Sequence, residues 1–177
     1  MEGQFAMEAP LTIMPASEGK VALDLGCGPK PRNKFQAEKL FGIDIRDFGE
    51  NIIAADLVTD NIPFDDSVFD YVTAFDFIEH VPRLIYCPHK RLPFIELMNE
   101  IYRFLKPGGT FFSFTPAFPA PAAFQDPTHV NIITDATFPN YFDDKRRWGS
   151  MYGFNGYFDV KPQTWNGQHL ETTMVKV

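Results

Sequence analysis

Two short apolar runs each carry an acid near the end: Asp24 in "VALDL" and Asp44 in "FGIDI", twenty residues further on. The turn Gly26-Cys27-Gly28 follows the first run. Glycine at 26 and 28 lets the chain reverse sharply and leaves its backbone open to a ligand. A carboxylate at the end of the second run can accept hydrogen bonds from both hydroxyls of a ribose. Together they fit an adenosine-bearing ligand at the carboxyl ends of parallel strands. A second group lies in "FQDPTHVNI", where the Asp126-Pro127 turn is followed by His129. An Asp126–His129 pair could orient an imidazole as a general base, and His80 is a second candidate. Glu79, His80, Asp126 and His129 are metal-ligand types. They come from separate segments with no fixed spacing, so no metal is expected.

The ligand can be narrowed. In the dinucleotide fingerprint GxGxxG the third glycine serves helix–strand packing, and here Pro31 stands in its place. "PKPRNKFQAEK" leaves little room for the helix that would receive a pyrophosphate. No GxxxxGK[ST] pattern occurs. A ribose-bearing cofactor without phosphate remains, and S-adenosyl-L-methionine fits that description.

These residues need a sheet to place them. Val21–Leu25, Phe41–Ile45, Ile52–Leu57, Phe69–Phe75 and Thr110–Thr115 read as five strands. "PFIELMNEIYRFL" (Pro93–Leu105) repeats apolar residues at helical spacing, with proline in its first turn and Gly108 beyond its end. Gly156–Trp165 and His169–Val177 read as two final strands joined at Asn166–Gln168. Residues 116–155 carry five prolines and many aromatics; they read as a partly helical, lid-like insertion over one end of the sheet.

The bulk composition sets limits. The 177 residues suggest one domain, and 45% hydrophobic with 22% charged is ordinary for a globular chain. A net charge of −7 and a pI near 5.0 disfavour a broad nucleic-acid contact. Cys27 and Cys87 form no CxxC pattern, which suits a reduced, cytoplasmic protein. No signal peptide or membrane-spanning run is visible.

At this point the sequence resembles the class I S-adenosylmethionine-dependent methyltransferases. Four segments carry the resemblance in order: "VALDLGCG", "GIDI", "AADLVTDNIPFDDSVFDYVTAFDFIEHV" and "EIYRFLKPGGTFFSFTP". It implies an α/β fold, a Rossmann-like three-layer sandwich whose mostly parallel seven-stranded sheet ends in an antiparallel strand, here with a reduced first helix. It also implies roles. Asp24, Gly26, Cys27 and Gly28 would line the methionine portion of the cofactor. Asp44 would hold the ribose with Ile45 beside it, and Asp56 would approach the adenine amino group with Leu57 on the ring. The backbones of Phe75 and Asp76 would pass near the sulfonium. Bland alternatives stand beside these: Asp24 could only hold the turn, and Asp56 could only cap the next segment. Cys27 reads as a small turn filler rather than a nucleophile.

Methyl transfer needs the acceptor placed in line with the donor and water excluded, and a hydroxyl acceptor also needs a base. Similar "D-P-T-H" segments in small-molecule and sugar-related methyltransferases put His129 towards the active site, though it could merely pin the lid. The expected partner is a small organic acceptor carrying a sugar-linked or aromatic hydroxyl. A homodimer is compatible with these features. The alternative is a catalytically inactive S-adenosylmethionine-binding module or regulatory partner.

Overall fold

Short runs of branched and aromatic residues closed by turns become strands when both faces are covered. The computed structural model describes residues 19–49, 51–60, 62–86 and 88–177. The N-terminal stretch read for a signal peptide and Cys87 lie outside them. The elements in chain order are β1 (Val21–Leu25), β2 (Lys39–Asp44), β3 (Ile52–Ala54), β4 (Phe69–Phe75), β5 (Ile85–Tyr86), β6 (Lys90–Arg91), α1 (Pro93–Phe104) and β7 (Leu105–Phe118). Then come α2 (Ala122–Gln125), β8 (Ile133–Thr134), α3 (Thr137–Tyr141), β9 (Phe158–Val160), β10 (Thr164–Asn166) and β11 (His169–Lys176). Ile78–His80 and Trp148–Tyr152 are 3-10 turns.

The main sheet runs β10-β11-β7-β4-β1-β2-β3, with β8 added on β7 and β9 on β11. Strands β1, β2, β3, β4, β7 and β8 are parallel, and β11 runs antiparallel to β7. This is the mostly parallel Rossmann-like sheet with a reversed last strand. The strand order turns back at β1, which pairs with both β2 and β4. Such a switch point opens a crevice at the carboxyl ends of the strands.

The main helix follows its spacing. Phe94, Leu97, Met98, Ile101 and Phe104 are buried, and Pro93 occupies the first turn, where its missing N–H leaves nothing unpaired. Leu105, expected as the last helical residue, is extended and pairs with Phe69 in the sheet. Phe64, Phe69 and Phe104 meet edge to face with ring centres 5.0–6.3 Å apart, which joins helix to sheet.

The first helix is not merely reduced. Among the described residues no helix lies between β1 and β2. Pro31 withholds a donor. The Asn33 side chain clasps both backbone groups of Ala37, and Phe35 stacks on Tyr71 at 4.5 Å. Gly42 explains the rest. A Cβ there would lie 2.4 Å from Cys27 Sγ and 2.7 Å from the Pro31 ring. The proline-bearing loop therefore packs directly on β2.

Two other strands are shorter than expected. The run from Ile52 stops at Ala54 because Asp56 starts a turn. Its carboxylate accepts from Val58 N–H at 2.9 Å, and its own N–H donates to Asp60. The run from Gly156 divides into β9 and β10 on either side of Pro162.

At the amino ends of the strands, Asp70 on β4 ties three elements together. Lys20 lies 2.9 Å and Lys106 2.7 Å from its carboxylate, and Val21 N–H donates at 3.0 Å. Burial alone would raise its pKa, but the two lysines and the amide outweigh that and hold it at about 2.

Candidate active site

The carboxyl ends of β1 and β2 bring the glycine turn to Asp44. Asp44 is 8% exposed and accepts from Gly28 N–H at 2.9 Å and Arg46 N–H at 3.1 Å. A carboxylate offers about four acceptor positions, so capacity remains for a ligand's hydroxyls. The next residue, Ile45, is 68% exposed, an apolar side chain beside a buried acid. Gly28 has φ +59° and open space where a Cβ would project. Gly26 has φ +61°, and a Cβ there would lie 2.3 Å from the Phe77 ring. The two glycines thus play different parts. Gly26 admits Phe77, and Gly28 keeps backbone accessible.

Asp24 is 1% exposed, with both oxygens engaged: Arg32 N–H donates at 2.8 Å and Thr73 Oγ1 at 2.6 Å. Burial raises its pKa, against the opposing effect of those two donors. It braces the loop that replaces the first helix. Burial, with Asp24 and Asp44 close by, pushes the Cys27 thiol up to about 12, so it stays protonated. Asp56 bonds within its own turn, and Leu57 packs in the core.

At the end of β4, Asp76 adopts φ +50° and faces a histidine and an arginine that sequence reasoning missed. His169 Nε2 lies 2.9 Å from its carboxylate, and Arg32 lies 3.8 Å away. Arg32 also covers the Phe75 ring at 4.7 Å, and His169 stacks on Phe114 at 4.2 Å. Nothing local marks these residues. His169 opens β11 and reaches Asp76 only because β11 lies beside β7, which lies beside β4.

Past β4, the 3-10 turn sets Glu79 and His80 against the "DPTH" strap. The Glu79 carbonyl accepts from Val130 N–H and Asn131 N–H at 3.0 and 2.9 Å, and Asn131 Nδ2 donates to the Ile78 carbonyl at 2.9 Å. His80 and His129 meet edge to face, 4.8 Å between ring centres. Asp126 lies 4.0 Å from His129 Nε2, beyond hydrogen-bond reach. Its close partner is Thr128, which sequence reasoning passed over: the backbone N–H donates at 2.8 Å and the hydroxyl at 2.6 Å. Those bonds lower the Asp126 pKa. A hydroxyl has one proton, so Thr128 Oγ1 accepts at 3.0 Å from His80 Nδ1–H. Neutral His80 is thereby assigned its Nδ1–H tautomer, with the lone pair on Nε2.

Glu79 is 1% exposed. Its Oε2 accepts from Thr115 Oγ1 at 2.7 Å, and burial raises its pKa. Its Oε1 and His129 Nδ1 are both buried without a hydrogen-bond partner. Arg83, which bonds Asn131 of the strap, also borders a cavity of about 570 Å³ faced by Phe94, Ile95, Phe118, Ile132, Tyr141 and Tyr152. It donates to Asn131 Oδ1 at 2.6 Å and reaches the Ile132 carbonyl. None of the cavity's lining residues belongs to the glycine turn or the strand-end acids.

Among the described residues, no helix is long and apolar enough to cross a membrane. Residues 4–160 match the family described as methyltransferase domain. Among solved structures, the chain is similar to a SAM-dependent methyltransferase from Archaeoglobus fulgidus. Identity is 16%, coverage 89% of this chain and 86% of that one, and the TM-score 0.59. A SAM-dependent methyltransferase from Aquifex aeolicus gives 12%, 89%, 82% and 0.55 in the same terms. The [4+2]-cyclase SpnF gives 15%, 91%, 76% and 0.56. Identities this low carry the fold and not the reaction. No curated protein matches the sequence. The family match spans β1 to β9 and so takes in the glycine turn, both strand-end acids and the histidine strap: the chain belongs to the class I S-adenosylmethionine-dependent methyltransferases.

Proposed function

We propose that this chain holds S-adenosyl-L-methionine at the carboxyl ends of β1, β2 and β4 and methylates a small organic acceptor. The observation that carries the reading is the buried Asp44 with spare acceptor capacity, flanked by exposed Ile45 and by the open backbone of Gly28. When bound, the cofactor supplies a methyl group already activated on a sulfonium for in-line displacement. Asp44 accepts from the ribose hydroxyls while Ile45 covers the apolar side of the nucleoside. Gly26, Cys27 and Gly28 present backbone to the methionine portion, and Asp24 keeps that loop in place. Asp56 and Leu57 stand at the adenine end, with Phe75 and Asp76 on the side towards the acceptor.

The acceptor enters under the lid formed by residues 116–155. The aromatic cavity suits a planar or apolar body of small-molecule size. Its reacting group, a sugar-linked or aromatic hydroxyl, faces the His80–His129 pair. His80 Nε2 carries the lone pair that can take the hydroxyl's proton. Asp126 acts through Thr128 to hold that tautomer, and His129 completes the polar end.

Thermal unfolding with S-adenosylmethionine, S-adenosylhomocysteine and NAD tests the cofactor assignment. Ligand at 100 times its dissociation constant adds about 2.7 kcal/mol. For a chain of this size the melting temperature should rise by roughly 5–11 °C with the two sulfur nucleosides and not with NAD. Asp44→Ala should weaken S-adenosylhomocysteine binding at least about tenfold by calorimetry, because a buried acceptor is lost. Unchanged affinity in that variant would remove Asp44 from the site.

A further inference from the structure

The polar end of the proposed acceptor site contains an imbalance that hydrogen bonding does not resolve. Glu79 Oε1 and His129 Nδ1 are both buried and both unpartnered. A buried polar atom without a partner is destabilising, and more so where it is charged. Their residues belong to one cluster. Glu79, His80 and His129 each offer one ligand atom, and those atoms all lie within 4.8 Å of one another.

We propose that Glu79, His80 and His129 form a three-ligand site for a divalent transition metal of the zinc type. The inference deepens the methyltransferase reading and rests on it for the identity of the fourth ligand.

The donor set is two imidazoles and one carboxylate, which suits zinc better than the all-oxygen shells of magnesium or calcium. Zinc bonds to nitrogen and oxygen are about 2.0–2.2 Å long. Three atoms at the observed spacing would each move inward by under about 1 Å to reach that length. Each residue also has an atom free to ligate. The lone pair of His80 is on Nε2, since its Nδ1–H is given to Thr128. The free nitrogen of His129 is Nδ1, while its Nε2 faces Asp126 at 4.0 Å. Glu79 keeps one oxygen on Thr115 and has the other free. Glu79 and His80 are each hydrogen-bonded to a threonine hydroxyl, the outer-shell arrangement that fixes ligands of a metal site, and Asp126 stands 4.0 Å from His129 Nε2.

The scaffold is also firm. The main chain of the strap is bonded to the Glu79 carbonyl through two amides, and buried Asn131 clamps the strap to Ile78 and Arg83. Three protein ligands leave a fourth position for water or an acceptor hydroxyl, the pattern of open zinc sites. With zinc bound, His80 Nε2 is a ligand and not the base, and a hydroxyl in the fourth position, more acidic on the metal, would give its proton to solvent.

The test uses the full-length chain after treatment with a chelator. Zinc is titrated by calorimetry, and magnesium serves as the hard-cation control. Cobalt(II) substitution adds a spectroscopic readout of tetrahedral nitrogen and oxygen ligation. The expected result is one zinc per chain with micromolar or tighter affinity, no saturable magnesium binding, and a visible cobalt band. Glu79→Gln and His129→Ala should each weaken zinc at least about 100-fold. Both should retain the far-UV circular dichroism spectrum and cooperative melting of the wild-type chain, which report that they fold. Absence of saturable zinc binding to the wild-type chain overturns the proposal, as does zinc binding that survives both substitutions. Zinc is titrated without nucleoside, so its binding stands or falls apart from the cofactor assignment.

Discussion

The two ends of β4 treat a buried acid in opposite ways. Asp70, at the amino end, is surrounded: two lysines and an amide engage its oxygens, and its pKa is held at about 2. Glu79, four residues past the carboxyl end, keeps one oxygen without a partner, and burial raises its pKa. Asp70 ties the starts of β1, β4 and β7 together and stabilises the fold. Glu79 lacks that balance and sits beside two histidines. A strand can thus be anchored at one end so that an electrostatically incomplete group is held ready at the other. A satisfied acid marks structure here, and an unsatisfied one marks a place where a further partner would bind.

The sharpest way to break this contrast is at the carboxyl end of the neighbouring strand β1, in the glycine turn that packs on Phe77 just past β4. If that end is as firmly built as the other, Gly26→Ala should destabilise by about 3 kcal/mol. The new Cβ would strike Phe77, and alanine disfavours φ +61°. Chemical denaturation reads this directly, and a loss below about 1 kcal/mol would mean that the turn is free to shift.

At the other end, Asp70→Asn should lose about 1–2 kcal/mol at pH 7, after allowance for partly exposed lysines. The Asp70 pKa is depressed on folding. Its contribution is therefore complete above the ordinary value of 3.8 and is lost as pH falls towards about 2. Wild type and variant should converge over that window. A difference that stays constant from pH 6 to pH 2 would show that the ion pairs are not its source.

The smallest effect carries the opposite sign. In metal-free protein, Glu79→Gln should leave stability unchanged or raise it by about 0.5–1 kcal/mol, since a buried charge with an idle oxygen becomes neutral. A loss as large as that at Asp70 would make Glu79 a structural anchor and collapse the comparison.

Much of the positioning framework was legible locally. "VALDLGCG", "GIDI" and "KPGG" punctuate strands and turns by residue type alone, and the buried positions of α1 follow its 3.6-residue spacing. Reading failed where a distant packing partner decided the outcome. Leu105 leaves the helix because Phe69 offers a sheet partner, and Pro31 fits β2 because Gly42 lacks a side chain. At the site, Asp24 and Asp44 lie near the carboxyl ends of the adjacent parallel strands β1 and β2, whereas the Asp126–His129 pair lies too far apart for a hydrogen bond. Thr128 takes the Asp126 carboxylate through a local turn, a competition that short polar side chains commonly win.

By itself, the sequence determined the strand-and-turn grammar, the glycine turn and the twenty-residue interval from Asp24 to Asp44. Those are properties of contiguous residues, set by backbone freedom and side-chain type. Only the tertiary structure decided that His169 and Arg32 meet Asp76, that Thr128 contacts both Asp126 and His80, and that Glu79 and His129 each bury an unpartnered atom within one cluster. Those contacts span from two to 93 residues of chain. Their existence depends on the order of strands in the sheet and on where water is excluded, and neither is written in any one segment.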